Sequence, residues 1–283
     1  MRVNVVTHPR APVTSAHLKL VIEAARKAGV LLRFDAAETR KHGLVPGRCV
    51  EVDAPWSADV DLCAVLGGDG TILSALRTYA DTGVPVFAVN FGLVGFLATI
   101  IEPDSMGEDL LQAFRGEFDT FELPSITVGR PQGTWTAFND VSVHRKAGLP
   151  VARLAYAMSG EEIGRVRCDG LVVATPQGST GYNLANGGPV LAWGVEGFVV
   201  SFIAPHSLTA RALVVAAGDH MTINNASRTG DPVEVHVDGQ PACEIPAGED
   251  VNVEFARSRS LLAQLPGATF YHRLRERFGR LAN

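Results

Sequence analysis

Long apolar runs are missing from this chain. No stretch of its 283 residues approaches the ~20 that a membrane-crossing helix requires. The opening MRVNVVTHPRAP lacks the apolar centre of a secretory signal and reads as a first strand. Charge is sparse as well. Asp, Glu, Lys and Arg make up 19% of the residues, and the net charge of −5 comes without blocks of one sign, which excludes a nucleic-acid binder relying on bulk electrostatics. The cysteines Cys49, Cys63, Cys168 and Cys243 are scattered and form no C-x-x-C pair or Cys/His cluster. That excludes a zinc site of ordinary spacing and leaves reduced thiols in a cytoplasmic protein as the expectation. Internal repeats and low-complexity tracts are absent too. What remains is a chain with 46% hydrophobic residues, as in a well-buried enzyme of one large or two modest domains.

The first hundred residues alternate short apolar runs with helical spacing. Strands are predicted at 3–6, 30–34, 60–66 and 84–89, with amphipathic helices at 15–28 and 108–114 and an irregular polar stretch at 36–56. This is βαβ material and predicts a Rossmann-like α/β domain with a parallel sheet. After about residue 120 strand-like segments dominate, at 122–128, 135–143, 151–158, 161–167, 171–175, 197–203, 221–224, 233–237 and 251–255. Turn residues separate them, which fits an all-β, antiparallel, sandwich-like domain. The basic segment 271–281 reads as a C-terminal helix returning to the first domain. The predicted domains are therefore 1–118 together with 265–283, and 119–264.

The most informative hexapeptide is Leu66-Gly67-Gly68-Asp69-Gly70-Thr71, between the third strand and the helical spacing of Ile72, Leu73 and Leu76. Glycines there can take positive φ and let a ligand approach the backbone, and a helix start offers free N–H groups to phosphate. Asp69 either caps that helix or has a purpose beside phosphate: holding a metal ion, or taking a proton from an attacking hydroxyl. A second glycine-rich stretch, TPQGSTGYNLANGGP at 175–189, predicts a turn at Pro176 and Gly178 and a short helix over 180–186 capped by Ser179 or Thr180. Asn139-Asp140 can hold a vicinal diol or form a plain turn, and Asp169-Gly170 is equally open. His144, His206, His220 and His236 lie far apart in sequence and read as structural. The basic side chains between 273 and 280 read as a solvated helix face.

Taken together and in order, these segments resemble the NAD kinase family. The resemblance is carried by Gly67-Gly68-Asp69-Gly70-Thr71, by Asn90-Phe91-Gly92-Leu93-Val94-Gly95-Phe96-Leu97, by Asn139-Asp140, and by the stretch from Asp169-Gly170-Leu171 to Gly188-Pro189. Pro205-His206-Ser207-Leu208 and Val237-Asp238-Gly239-Gln240 are also similar to family segments. Two residues depart from the pattern: Gln177 stands for Thr, a larger side chain able to reach the nucleotide, and Gly181 stands for Ala. The resemblance implies phosphoryl transfer from ATP or polyphosphate to the adenosine 2′-hydroxyl of NAD, with Mg2+ or another divalent cation. It implies a phosphate-binding first domain and a dinucleotide-binding second one. Asp69 is the implied catalytic residue, and Gly67, Gly68, Gly70 and Thr71 bind the phosphate donor. NAD contacts fall to Asp69, Gly70, Phe96, Asn139, Asp140, Arg167, Asp169, Thr180, Gly181, Tyr182, Asn183, Leu184, Ala185 and Gln240. A cytoplasmic homodimer or homotetramer with no nucleic-acid or membrane partner is expected. The competing readings are another GGDGT-type kinase acting on a lipid or sugar hydroxyl, and a non-catalytic dinucleotide sensor.

Overall fold

Through the first hundred residues the short β-branched runs become strands and the amphipathic segments become helices, in turn. The computed structural model describes residues 1–90, 96–100 and 106–279. The elements are β1 (Arg2–Thr7), α1 (Ser15–Ala28), β2 (Leu31–Arg33), α2 (Ala36–His42), β3 (Val50–Glu51), β4 (Leu62–Leu66), α3 (Asp69–Thr78), β5 (Pro85–Asn90), β6 (Thr99–Ile100) and α4 (Met106–Phe114). The strands pair in parallel in the order β3-β2-β1-β4-β5, as βαβ crossovers require. Central β4 is buried at every position. Helix α1 buries Leu18, Val21, Ala24 and Ala25 and stops where Gly29 takes φ 69°.

One helix lies where an irregular stretch is predicted. α2 starts at Asp35, whose Oδ1 accepts from the amide of Glu38 at 2.7 Å, and stops at Gly43 with φ 59°. The Asp35-x-x-Glu38 spacing is an N-terminal helix signal hidden in polar sequence. Glu38 is buried because Thr7 and Lys41 hydrogen-bond its carboxylate.

The β-rich part contains β7 (Asp119–Arg130), β8 (Gly133–Ala137), β9 (Asp140–Arg145), β10 (Ala152–Met158), β11 (Glu161–Cys168), β12 (Gly170–Ala174), α5 (Tyr182–Ala185), β13 (Gly197–Ile203), β14 (Leu213–Ala216), β15 (His220–Asn225), β16 (Val233–Val237), β17 (Gln240–Ile245) and β18 (Asp250–Gln264). One antiparallel array runs β14-β13-β12-β9-β16-β17, another β11-β10-β15-β18. Alternate residues of both enter one core, with Val141, Val143, Leu171 and Val173 from the first and Leu154, Met221, Ile223 and Val251 from the second. The last strand is much longer than predicted. Its Asp250–Glu254 part pairs with β15, and its Leu261–Ala263 part pairs in parallel with β5. The chain thus divides into two compact units, Met1–Leu123 with Arg259–Asn283, and Pro124–Ser258.

The C-terminal helix, α6 (Phe270–Phe278), belongs to the first unit and is capped by Thr269. It is not simply a solvated basic face. Arg273 is only 3% exposed, and its Nη1 donates to the carbonyls of Phe96 and Ala98. Those carbonyls stand just before the short β6, outside any ladder, so a buried cation takes the place of a strand partner there. Arg273→Met keeps the length but strips both acceptors of their donor. Its unfolding free energy should fall by roughly 1–3 kcal/mol, while exposed Arg275→Met stays near wild type. Urea midpoints of the two variants make the comparison.

Candidate active site

In the first unit the glycine-rich turn is fastened to the sheet. The Gly67 amide donates to the Val89 carbonyl at 3.1 Å, so the chain leaves β4 still bound to β5. Gly68 is the helix N-cap, with extended φ −85° and ψ −178° and no side-chain cap. Asp69 is therefore the first residue of α3 and not its cap. None of Gly67, Gly68 and Gly70 takes a positive φ, contrary to the sequence expectation. Of the three, only Gly67 is glycine for want of room. A Cβ on Gly67 would lie 2.8 Å from Thr71 Oγ1, whereas at positions 68 and 70 a Cβ would meet no atom of the described residues within 4 Å. Asp69 is half-buried, with Oδ1 shielded from solvent. It acts on Arg273, whose guanidinium is lowered to about 10 by burial while the charge of Asp69 pulls the other way. Phe96 lies in this unit, its ring 5.9 Å from that of Phe278. Residues 91–95 of the Asn90-to-Leu97 segment fall outside the described residues.

In the second unit the predicted strand 135–143 is broken. β8 ends at Ala137 and β9 begins at Asp140, which leaves Phe138 and Asn139 without a ladder. Thr175 Oγ1 donates to the carbonyls of Phe138 (2.7 Å) and Asn139 (3.1 Å). Gln177 Nε2 donates to the carbonyls of Pro124 (2.6 Å) and Phe138 (2.5 Å). Gln177 is thus buried inside the fold and does not reach outward to a nucleotide. The amides at 138–140 turn to the carboxylate of Asp238. Asn139 Oδ1 is buried without a hydrogen-bond partner among the described residues. Asp140 is 8% exposed, and burial, with the charge of Asp238 added, pushes its carboxyl up to about 7.

The stretch after β12 is a 3-10 turn, Gln177–Thr180, followed by the single turn α5, in place of the one helix predicted. Neither predicted cap forms. Ser179 Oγ accepts from the Leu191 amide at 2.8 Å, and Thr180 Oγ1 donates to the Gln177 carbonyl at 3.1 Å. Asn183 is fully buried, and its Nδ2 donates to the carbonyls of Ser179 and Pro189 at 2.9 Å each. It locks the loop, and Gly188 gives it room, since a Cβ there would sit 1.9 Å from Asn183 Oδ1. Gly181, Tyr182 and Ala185 are exposed and Leu184 is half-buried, which leaves them accessible to a ligand.

Tyr182 gathers several of the predicted residues. Its phenol is raised by burial and then by the charges of Asp140 and Asp169. The ring of His144 stacks on it at 5.8 Å, and His236 meets His144 edge-on at 5.3 Å. The two histidines are far apart in sequence, but β9 and β16 are paired neighbours, which brings them together. Asp169 is ion-paired to Arg145 at 2.6 Å. Arg167 is exposed on β11 opposite Arg153, and Gln240 is exposed at the start of β17.

The glycines make a sharp stability contrast. A Cβ at Gly178 would lie 2.0 Å from the Asn139 carbonyl oxygen, whereas one at Gly70 meets nothing. Gly178→Ala should lose roughly 1–3 kcal/mol through forced displacement of the 138–140 backbone. Gly70→Ala, inside a helix, should gain up to about 1 kcal/mol. Thermal midpoints moving in the same direction for both would contradict this assignment.

Comparison with known proteins agrees with this layout. Residues 33–118 match the family model for the ATP-NAD kinase N-terminal domain, and residues 138–265 match that for the ATP-NAD kinase C-terminal domain. A protein of Gemmatimonas aurantiaca named NAD kinase is 33% identical over 285 residues, covering 99% of this chain and 96% of its own. The NAD kinase of Thermobifida fusca is 32% identical over 291 residues, covering 98% and 88%. Among solved structures, yeast NADH kinase complexed with NADH has the same fold, with a TM-score of 0.86 at 21% identity over 100% of this chain and 88% of its own. An NAD kinase from Archaeoglobus fulgidus in complex with ATP gives a TM-score of 0.73 at 25% identity, covering 100% and 99%. With both units matched in order and relatives above 30% identity along nearly the whole length, this chain belongs to the NAD kinase family.

Proposed function

We propose that the protein transfers the terminal phosphoryl group of ATP, or of polyphosphate, to the adenosine 2′-hydroxyl of NAD and so makes NADP. One observation carries the reading. In a chain of this family, Asp69 stands at the start of a helix between two glycines whose Cβ positions face open space. Donor phosphates can approach the backbone at Gly68 and Gly70, where first-turn N–H groups and the helix dipole favour negative charge. Thr71 and Gly67 keep that turn closed against the helix. The ATP bound to the Archaeoglobus fulgidus relative supports ATP as the donor.

The attacking 2′-oxygen forms a bond to the terminal phosphorus as the bridging oxygen-phosphorus bond breaks and the shortened donor leaves. The hydroxyl proton passes to the Asp69 carboxylate. A carboxylate is a weak base for an alcohol, so orientation of the hydroxyl is the larger part of its work. In this reading Asn139 and Asp140 hold the adenosine ribose. The adenine is lined by Thr180, Gly181, Tyr182, Leu184 and Ala185, with Asn183 holding that loop from within; Phe96 is a further NAD contact in this reading. Arg167, Asp169 and Gln240 serve the nicotinamide end. Among the described residues no three His, Cys, Asp or Glu side chains are grouped to hold a metal. Mg2+ would be held chiefly by the donor phosphates and water, as it commonly is in phosphoryl-transfer sites, and would supply charge neutralisation on the donor.

Asp69→Asn is near-isosteric at a half-buried helix start. It should fold and keep its NAD affinity, with a thermal midpoint lowered by loss of the charge acting on Arg273, while turnover falls by ~10²-fold or more. Near-normal turnover removes Asp69 from the chemistry.

Arg167 governs the redox form in this reading. Wild type should prefer NAD to NADH. Arg167→Gln, which loses one charged contact, should narrow the kcat/KM ratio by about ten-fold. An unchanged ratio leaves Arg167 as a surface arginine of β11.

A further inference from the structure

The turn between β16 and β17 is two residues long, Asp238-Gly239. Both have positive φ, 46° and 75°. A two-residue hairpin of this kind takes Asn-Gly at least as readily as Asp-Gly, so the turn by itself does not call for a carboxylate. The carboxylate has its own task. Asp238 Oδ1 accepts from the amides of Asn139 (2.7 Å) and Asp140 (3.1 Å), and Oδ2 accepts from the amide of Phe138 (3.1 Å). The Asp238 amide donates in return to the Asp140 carbonyl at 2.8 Å. Three successive amides at the break between β8 and β9 thus converge on one side chain about a hundred residues away in sequence.

We propose that Asp238 is the positioning residue of the dinucleotide site: its carboxylate shapes the 138–140 backbone so that Asn139 and Asp140 present their side chains to one ribose. The inference rests on reading those two residues as the ribose-binding pair. Asp238 touches no substrate in this account and acts through the amides it holds. Burial is the main reason the Asp140 carboxyl is harder to ionise, and the negative charge of Asp238, held by three donors, adds to it. The other titratable groups around Asp140 are the Tyr182 phenol on α5, His144 further along β9 and His236 on β16, with Asp169 sharing its influence on Tyr182. Ribose hydroxyls donate to a carboxylate, so NAD binds best to ionised Asp140. The sign follows: affinity rises with pH as Asp140 loses its proton, and the charge of Asp238 moves that rise to higher pH than burial alone would set.

The test is titration of NAD into wild type, Asp238→Asn and Asp140→Asn between pH 5.5 and 8.5, with thermal midpoints measured alongside. Wild-type affinity should rise about ten-fold from pH 6 to pH 8. Asp238→Asn keeps the turn but sets an amide NH2 against a backbone N–H. It should fold, weaken NAD binding by about ten-fold at pH 8, and move the rise in affinity to lower pH. A change in stability alone would not move that pH dependence. Asp140→Asn should weaken NAD binding and flatten its pH dependence. If Asp140→Asn weakens binding while Asp238→Asn retains wild-type affinity and wild-type pH dependence, the positioning role is overturned and the ribose assignment stands. If Asp140→Asn leaves NAD affinity unchanged, the ribose assignment falls and the inference with it. Should Asp238→Asn fail to fold, Asp238→Ser takes its place: wild-type NAD affinity with wild-type pH dependence in that variant overturns the proposal.

Discussion

Backbone that leaves a ladder inside a folded chain must find other partners, because a buried N–H or C=O without one costs as much as a lost hydrogen bond. Each of the two units meets that constraint in its own way. At 138–140 the carbonyls of Phe138 and Asn139 are taken by Thr175 and Gln177, and the three amides by Asp238. At the edge of the first unit's sheet, the carbonyls of Phe96 and Ala98 are taken by Arg273. In each case a polar or charged side chain from a distant part of the sequence replaces a neighbouring strand. The irregular backbone can then display functional groups without being loose.

The glycines divide along the same line. Gly178 and Gly188 lack a Cβ because the space is already filled by Asn139 and Asn183, which lets one segment press on another. Gly68 and Gly70 lack a Cβ where nothing stands opposite. The first pair belongs to packing. The second leaves the backbone on either side of Asp69 uncovered by side chains of its own, where a polyanion can approach. The two sets look alike in sequence, and only the structure separates them.

Local features were legible from the residues. The β4-turn-α3 unit, the Gly29 stop of α1 and the strand at 197–203 each depend on a few consecutive side chains, and each forms as read. The α/β-then-β order followed from the change of texture near residue 120. What escaped depends on partners distant in sequence. Periodicity carried a strand straight through 135–143, because nothing local marks Phe138 and Asn139 as lacking a ladder. Gln177 read as a nucleotide contact until its amide was seen to be spent on Pro124 and Phe138. Arg273 read as solvated because the carbonyls it serves lie 175 and 177 residues away. The meeting of His144 with His236 needed the register of β9 against β16.

The central claim is that this scaffold performs phosphoryl transfer to one hydroxyl of NAD. The most direct measurement incubates the protein with Mg2+, NAD and ATP carrying a labelled terminal phosphate, repeats the incubation with polyphosphate, and assays the product with an NADP-specific dehydrogenase. The account predicts label in a dinucleotide that the dehydrogenase reduces, with one ADP released per NADP formed when ATP is the donor. A folded protein that binds NAD but transfers no label to it from either donor would contradict the account and leave a dinucleotide sensor in its place.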